Sequence, residues 1–223
     1  MRVLITRPGE DAARTASVLA ALGHEGIALP LLDVRFHDGD AIALDRFQAV
    51  LATSANGVRA LARRTQRRDV ALFAVGPQTA QEAEALGFSQ VRNAQGDSRV
   101  LAASVAGLAV PSGGALLHVK SAEADGTLAT LLKVRGFAVE NAVLYDVAAI
   151  DRLPVLPPDV DASLFFSARS AAIFRDLAAG ERVDHMIAIC IGQAAADALE
   201  PLRFKDVRVA AAPNQDAMLA LLF

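Results

Sequence analysis

The feature that most constrains this chain is an internal repeat. The segment VLITRPGEDAARTASVLAALGHEGIALPLLDV, starting at Val3, aligns without gaps on LLHVKSAEADGTLATLLKVRGFAVENAVLYDV, starting at Leu116. Leu4, Glu10, Ala16, Leu19, Gly23, Leu31, Asp33 and Val34 recur as Leu117, Glu123, Ala129, Leu132, Gly136, Leu144, Asp146 and Val147. The same offset carries AVLATSANGVRAL from Ala49 onto ASLFFSARSAAIF from Ala162. After a short slip, AVGPQTA around Gly76 meets CIGQAAA around Gly192, and Val91-Arg92 meets Val207-Arg208. A register held over most of the chain points to two similar domains rather than one large one.

Within each copy, short apolar runs alternate with helical spacing. Strands are expected at residues 3–6, 27–32, 49–53, 71–75 and 90–93, with counterparts at 116–119, 139–145, 163–166, 186–191 and 206–210. Between them Ala12, Ala16, Leu19 and Leu22, and later Leu128, Leu131 and Leu132, recur at helical intervals. Gly23 and Gly136 stand where a left-handed C-cap is wanted, and Asp97 and Asn214 are suited to N-cap the last helix of each set. Apolar strands alternating with helices imply parallel sheets covered on both faces. The expected fold class is α/β, with two similar doubly wound parallel-sheet domains and a working site in the cleft between them.

The composition agrees with packed cores and restricts partners. Hydrophobic residues make up 53% of the 223, yet no run approaches the roughly 20 residues that span a bilayer. Near the start only Val3-Leu4-Ile5 is apolar, too short for a signal-peptide core, so a cytoplasmic protein is expected. The single Cys190, set among apolar residues, reads as a buried small hydrophobe in a reducing compartment. Net charge is −3, from 22 Lys plus Arg against 25 Asp plus Glu, which offers no general attraction for nucleic acid. The cluster Arg59, Arg63, Arg64, Arg67 and Arg68 reads as a solvated helix face. The four histidines show no paired metal-ligand spacing, so no metal is expected.

In open parallel sheets ligands gather at the carboxyl ends of the strands, beside free helix N–H groups. The loops there are Thr6-Arg7-Pro8, Thr53-Ser54-Ala55-Asn56-Gly57, Gly76-Pro77-Gln78-Thr79, Lys120-Ser121, Ser167-Ala168-Arg169-Ser170 and Gly192-Gln193. Any one of them is an ordinary cap. Taken together, small hydroxyls, glycines and single cations suit carboxylates or phosphates. Glu10, Asp11, Glu82 and Glu84 read as dipole-placed carboxylates near helix starts. No dinucleotide, P-loop or nucleophile-elbow motif is present.

T-R-P followed by P-L-L, then T-S-A-N-G-V-R-A-L, A-V-G-x-x-T-A, F-F-S-x-R-S-A and a late C-I-G resemble the uroporphyrinogen-III synthase family from about Arg2 onward. The resemblance implies conversion of linear hydroxymethylbilane to uroporphyrinogen III, in tetrapyrrole biosynthesis, with loss of water and inversion of the last pyrrole ring, without cofactor or metal. It also implies a crossover, with residues 1–34 and 151–223 forming one domain, 41–144 the other, and 35–40 and 145–150 crossing. Segments 32–36 and 145–150 would then pair as an antiparallel ladder. The substrate-binding residues it carries over are Arg7, Thr53, Ser54, Asn56, Gly76, Thr79, Ser167 and Gly192, and the neighbouring loop residues Gly57 and Gln193 are expected to bind substrate with them. Lys120 and Arg169 are expected to join Arg7 in holding substrate carboxylates. Ala195 stands where many relatives have threonine, so Ser167 or Gln193 would substitute for that hydroxyl. Tyr145 aligns with Leu32, so packing alone does not require its hydroxyl, and it is the candidate donor to the leaving oxygen. A monomer is expected. A non-catalytic two-domain protein that binds an anionic metabolite would use the same fold, and a flavodoxin-like electron carrier would want more aromatics.

Overall fold

The computed structural model covers residues 1–223. The chain runs β1 (Arg2–Ile5), α1 (Gly9–Ala21), β2 (Glu25–Ala28), β3 (Leu32–Phe36), β4 (Phe47–Ala52), α2 (Ala55–Arg64), β5 (Ala71–Ala74), α3 (Pro77–Ala85), β6 (Gln90–Asn93) and α4 (Ser98–Leu108). It continues with β7 (Ala115–Ser121), α5 (Thr127–Lys133), β8 (Val139–Ala149), β9 (Ala162–Phe165), α6 (Ala168–Leu177), β10 (Ile187–Cys190), α7 (Gln193–Asp197), β11 (Asp206–Val209) and α8 (Gln215–Leu219). Two compact units result, residues 1–33 with 148–223, and residues 34–147.

The sequence repeat is a repeat of topology. The first unit holds a five-stranded sheet in the order β11-β10-β9-β1-β2, and the second a six-stranded sheet in the order β6-β5-β4-β7-β8-β3. Under the sequence offset β1 corresponds to β7, β2 to β8, and β4, β5 and β6 to β9, β10 and β11, so the two orders coincide strand for strand. The pairings within the shared five strands are parallel. Strand β3 is the addition. The His37 N–H donates to the Leu144 carbonyl at 2.8 Å and the Ile150 N–H to the Leu31 carbonyl at 3.1 Å, an opposed register that makes β3 and β8 antiparallel.

Alternation along the strands places a core on each face of each sheet. In the first unit Val3, Ile5, Leu164 and Ile189 pack against α1 and α8, while Leu4, Phe165, Ala188 and Cys190 pack against α6 and α7. In the second, Ala49, Leu51, Phe73 and Leu116 meet α4 and α5, whereas Val50, Leu72, Leu117 and Val119 meet α2 and α3. Each sheet is therefore covered on both faces, as its apolar strands require. Phe165 and Phe174 are wholly buried, edge to face at 5.2 Å. Truncating either costs about 3 to 5 kcal/mol.

The caps act as their residue types predict. The Asp97 carboxylate accepts from the N–H groups of Arg99 and Val100, and Asn214 Oδ1 from that of Ala217. Gly23 and Gly136 close their helices at φ +80° and +86°. The expected strand at 27–32 divides instead, because Pro30 lacks the N–H a ladder needs: β2 ends at Ala28 and β3 begins at Leu32. Strand β8 runs 11 residues, longer than expected, because its second half pairs with β3.

Candidate active site

In each sheet the strand order reverses between two neighbouring parallel strands, β1 and β9 in the first unit and β7 and β4 in the second. The carboxyl ends of such strands form the crevice where ligands bind in open α/β sheets. The second unit builds its crevice from polar groups that contact one another. Ser54 caps α2, its Oγ accepting from the Gly57 N–H at 3.1 Å. The Tyr145 hydroxyl lies 2.6 Å from the same Oγ. Tyr145 is 5% exposed, and desolvation raises its pKa above the usual phenol value, although hydrogen bonds to Ser54 and Ser121 pull the other way. The phenol therefore stays protonated and able to donate. Its ring lies 6.4 Å from that of Phe36.

The other expected residues of this unit divide by contact. Thr53 and Asn56 are half-buried at the start of α2, and Asn56 Oδ1 accepts from Arg59 Nη1 at 2.8 Å. Gly57 has a packing reason: a Cβ there would stand 3.1 Å from the Val119 carbonyl oxygen, so glycine lets α2 approach β7. Gly76 caps α3 with extended backbone and open space where a side chain would go. Thr79 is buried in the first turn. Lys120 turns back on its own loop, Nζ donating to the carbonyls of Ala124 at 2.5 Å and Asp125 at 3.5 Å.

In the first unit Ser167 mirrors Ser54, its Oγ accepting from the Ser170 N–H at 3.0 Å, and Arg169 is exposed beside it. Gly192 caps α7, a helix of 5 residues, and Gln193 is exposed, donating to Asp197 at 2.7 Å. Arg7 is turned inward. Its guanidinium pairs with Asp11 at 3.4 Å, donates to Gln215 at 3.1 Å and lies 4.4 Å from the centroid of Phe166. Thr15 also donates to Gln215, at 2.9 Å, so Arg7 and Thr15 together tie the β1 loop and α1 to α8.

In the arginine cluster Arg63 is exposed, as the spacing predicts, Arg64, Arg67 and Arg68 are half-buried, and Arg59 departs from the solvated face. Arg59 is 5% exposed and pairs with Glu82 at 2.8 Å. Arg63 covers the Phe36 ring, Arg64 bonds the carbonyls of His37 and Asp40, and Arg68 bonds those of Ala62, Thr65 and Leu86. Only Arg67 makes the exposed acidic pairs expected of a surface, with Asp45 and Asp69. Likewise Glu82 lies inside α3 as a buried partner, not near a helix start as a dipole-placed carboxylate. The signal for both was their apolar setting, Val58, Ala60 and Leu61 around Arg59 and Ala80 and Ala83 around Glu82.

No group of three or more His, Cys, Asp or Glu side chains is arranged to hold a metal. No helix is long and apolar enough to cross a membrane.

A family model described as uroporphyrinogen-III synthase HemD matches residues 13–220. The chain is also similar to the crystal structure of uroporphyrinogen-III synthetase from Helicobacter pylori 26695, at 18% identity and a TM-score of 0.68, over 100% of this chain and 98% of that one. A mutant uroporphyrinogen III synthase from the extremely thermophilic bacterium Thermus thermophilus follows at 17% identity and a TM-score of 0.50, over 100% and 97%. At such identities the likeness is one of fold. No curated protein sequence matches the chain. The family match spans nearly the whole length and both copies of the repeat, and the chain belongs to the uroporphyrinogen-III synthase family.

Proposed function

We propose that Tyr145, held by Ser54 at the start of α2, supplies the hydrogen bond that helps the hydroxyl leave in this family's reaction. Family membership gives the chain its activity: closure of hydroxymethylbilane to uroporphyrinogen III, a lyase step in tetrapyrrole biosynthesis. The bond that breaks joins the terminal methylene to its hydroxyl oxygen, which leaves with the bonding pair as hydroxide and becomes water with the proton that the pyrrole carbon releases when the closing carbon–carbon bond forms. The pyrrole nitrogen feeds electron density to the carbon left behind. A neutral phenol suits this step, because it lends a proton-donating hydrogen bond to the departing oxygen without needing to ionise. The observation that carries this reading is the 2.6 Å contact between the Tyr145 and Ser54 hydroxyls at the carboxyl end of β4, with the phenol desolvated.

The remaining polar groups are read as the substrate's carboxylate contacts. In the second unit these are Thr53, Asn56, the N–H groups behind Gly76, and Thr79; the first unit carries its own set at the corresponding strand ends, Ser167, Arg169, Gly192 and Gln193. Charge-assisted hydrogen bonds of this kind hold a flexible chain in one fold, and positioning of the reacting ends then favours the inverted closure over the unassisted one. Of the cations expected to share this work, Lys120 shapes its own loop and Arg7 anchors α8. We also read the chain as a cytoplasmic monomer. Its lone cysteine is buried and reduced, and no helix can cross a membrane.

The test is incubation with freshly prepared hydroxymethylbilane and separation of the product isomers. Isomer III in excess over the isomer I formed without protein supports the reading. Isomer I alone, formed at the unassisted rate, overturns it.

A further inference from the structure

The buried ion pair between α2 and α3 is not demanded by the fold, as the repeat itself shows. Arg59 corresponds to Ala172 on α6, and Glu82 to Ala198, next to the end of α7. The first unit thus packs the equivalent helices with alanine at both places. In the second unit two long charged side chains, 5% and 3% exposed, meet at 2.8 Å. Removing two charges from water offsets most of what their attraction contributes, so such a pair is a poor device for stability alone.

Its geometry suggests another purpose. Arg59 Nη2 donates to Glu82 Oε2, and Arg59 Nη1 donates to Asn56 Oδ1, each at 2.8 Å. A guanidinium only donates, so the Asn56 group facing it must be the carbonyl oxygen. The Asn56 amide nitrogen, with two N–H donors, is then turned away from Arg59 at the mouth of the α2 loop. Without Arg59 the amide could flip and present its oxygen, an acceptor that repels a carboxylate.

We infer that Arg59 and Glu82 are positioning residues for substrate binding, which fix the side-chain amide of Asn56 with its donors toward a substrate carboxylate. This rests on the reading that Asn56 contacts substrate. Glu82 holds the guanidinium from inside α3, so one fork sets the start of α2 against the body of α3. Lysine offers a single nitrogen and cannot replace that fork.

The test is a double-mutant cycle on KM, with the melting temperature of each variant measured alongside. Asn56→Ala is expected to raise KM about tenfold, the effect of losing one hydrogen bond to a charged group. Arg59→Lys is expected to raise KM about fivefold, with a smaller fall in kcat, since part of the amide population stays correctly turned. In the Asn56→Ala background, Arg59→Lys adds nothing. The volume-matched pair Arg59→Met with Glu82→Leu keeps the helices packed and gives a second route: it stays folded and shows the same rise in KM, which also vanishes in the Asn56→Ala background. A wild-type KM in the folded Arg59→Met/Glu82→Leu protein, or effects that add fully to Asn56→Ala, overturns the inference alone. An Asn56→Ala enzyme with wild-type KM overturns the reading of Asn56 as a contact and the inference with it.

Discussion

Replacing Arg7 by Met separates anchoring from binding at the β1 loop. The Arg7 and Asp11 side chains are 13% and 10% exposed, so the pair is screened far less than a surface ion pair. Removing one member of a buried pair costs about 3 to 5 kcal/mol, and the residual exposure here puts the loss near the bottom of that range, about 3 kcal/mol. The contact with Phe166 at 4.4 Å adds about 0.5 kcal/mol. Met keeps much of the aliphatic stem, so little of the loss comes from a cavity. For a chain of this size each kcal/mol moves the melting temperature by about 2 to 4 °C, so the combined loss of about 3.5 kcal/mol gives an expected fall of about 7 to 14 °C. The assay is a thermal melt paired with steady-state kinetics on hydroxymethylbilane below the new transition. The anchoring account predicts the large fall in melting temperature and a KM within about twofold of the wild type, since no substrate contact is lost. A melting temperature within about 2 °C of the wild type, accompanied by a KM raised about tenfold, would refute the reasoning and return Arg7 to the substrate.

Three further outcomes follow from particular contacts. Asp97→Ala removes both cap bonds at the start of α4, at 2.8 and 3.0 Å, and lowers stability in urea by about 1 kcal/mol with turnover unaltered. His37, whose bond to Asp146 raises its pKa, contributes stability that is complete below about pH 6.5 and lost as pH rises through its folded value. His118, whose burial lowers its pKa, contributes stability that is complete above about pH 6.5 and lost as pH falls through its folded value. Urea midpoints across this range therefore fall less on the alkaline side in His37→Gln and less on the acid side in His118→Gln. Burial pushes the Cys190 thiol up to about 12, so a thiol reagent at neutral pH reacts with the native protein only as fast as it unfolds and with the denatured protein at once.

Much of the architecture was legible because it rests on periodicity. The repeat that maps Val3 onto Leu116 also maps β1 onto β7, and the apolar runs around Val50 and Ile189 became strands buried on both faces. Caps at Asp97 and Asn214 and closing glycines at 23 and 136 were legible because each depends on one residue's own conformational chemistry. Side-chain pairing was not legible. Arg59 and Arg67 stand eight residues apart in one basic stretch, yet one is buried against Glu82 and the other is half-buried beside surface carboxylates. Arg59 lies on the face of α2 that meets α3, whereas Arg67 lies beyond the end of that helix, and spacing alone fixes neither the face nor the helix end. Arg7 was likewise hidden, because Gln215 lies near the opposite end of the chain. Gly57 looked like a loop residue and proved to be a packing contact, since a sequence does not reveal how closely a helix approaches the next strand.

The Tyr145 hydroxyl, 2.6 Å from Ser54 Oγ, is proposed to assist departure of water. Single-turnover rates of Tyr145→Phe at saturating hydroxymethylbilane test it most directly, because saturation removes any effect on binding. The ring and its contact with Phe36 remain, and Ser54 keeps the Gly57 N–H, so the fold should lose only about 1 kcal/mol. The account predicts a rate reduced about tenfold or more, equivalent to about 1.4 kcal/mol or more in the barrier, with uroporphyrinogen III still the isomer formed. A wild-type rate would contradict it and leave positioning of the substrate as the whole of the catalysis.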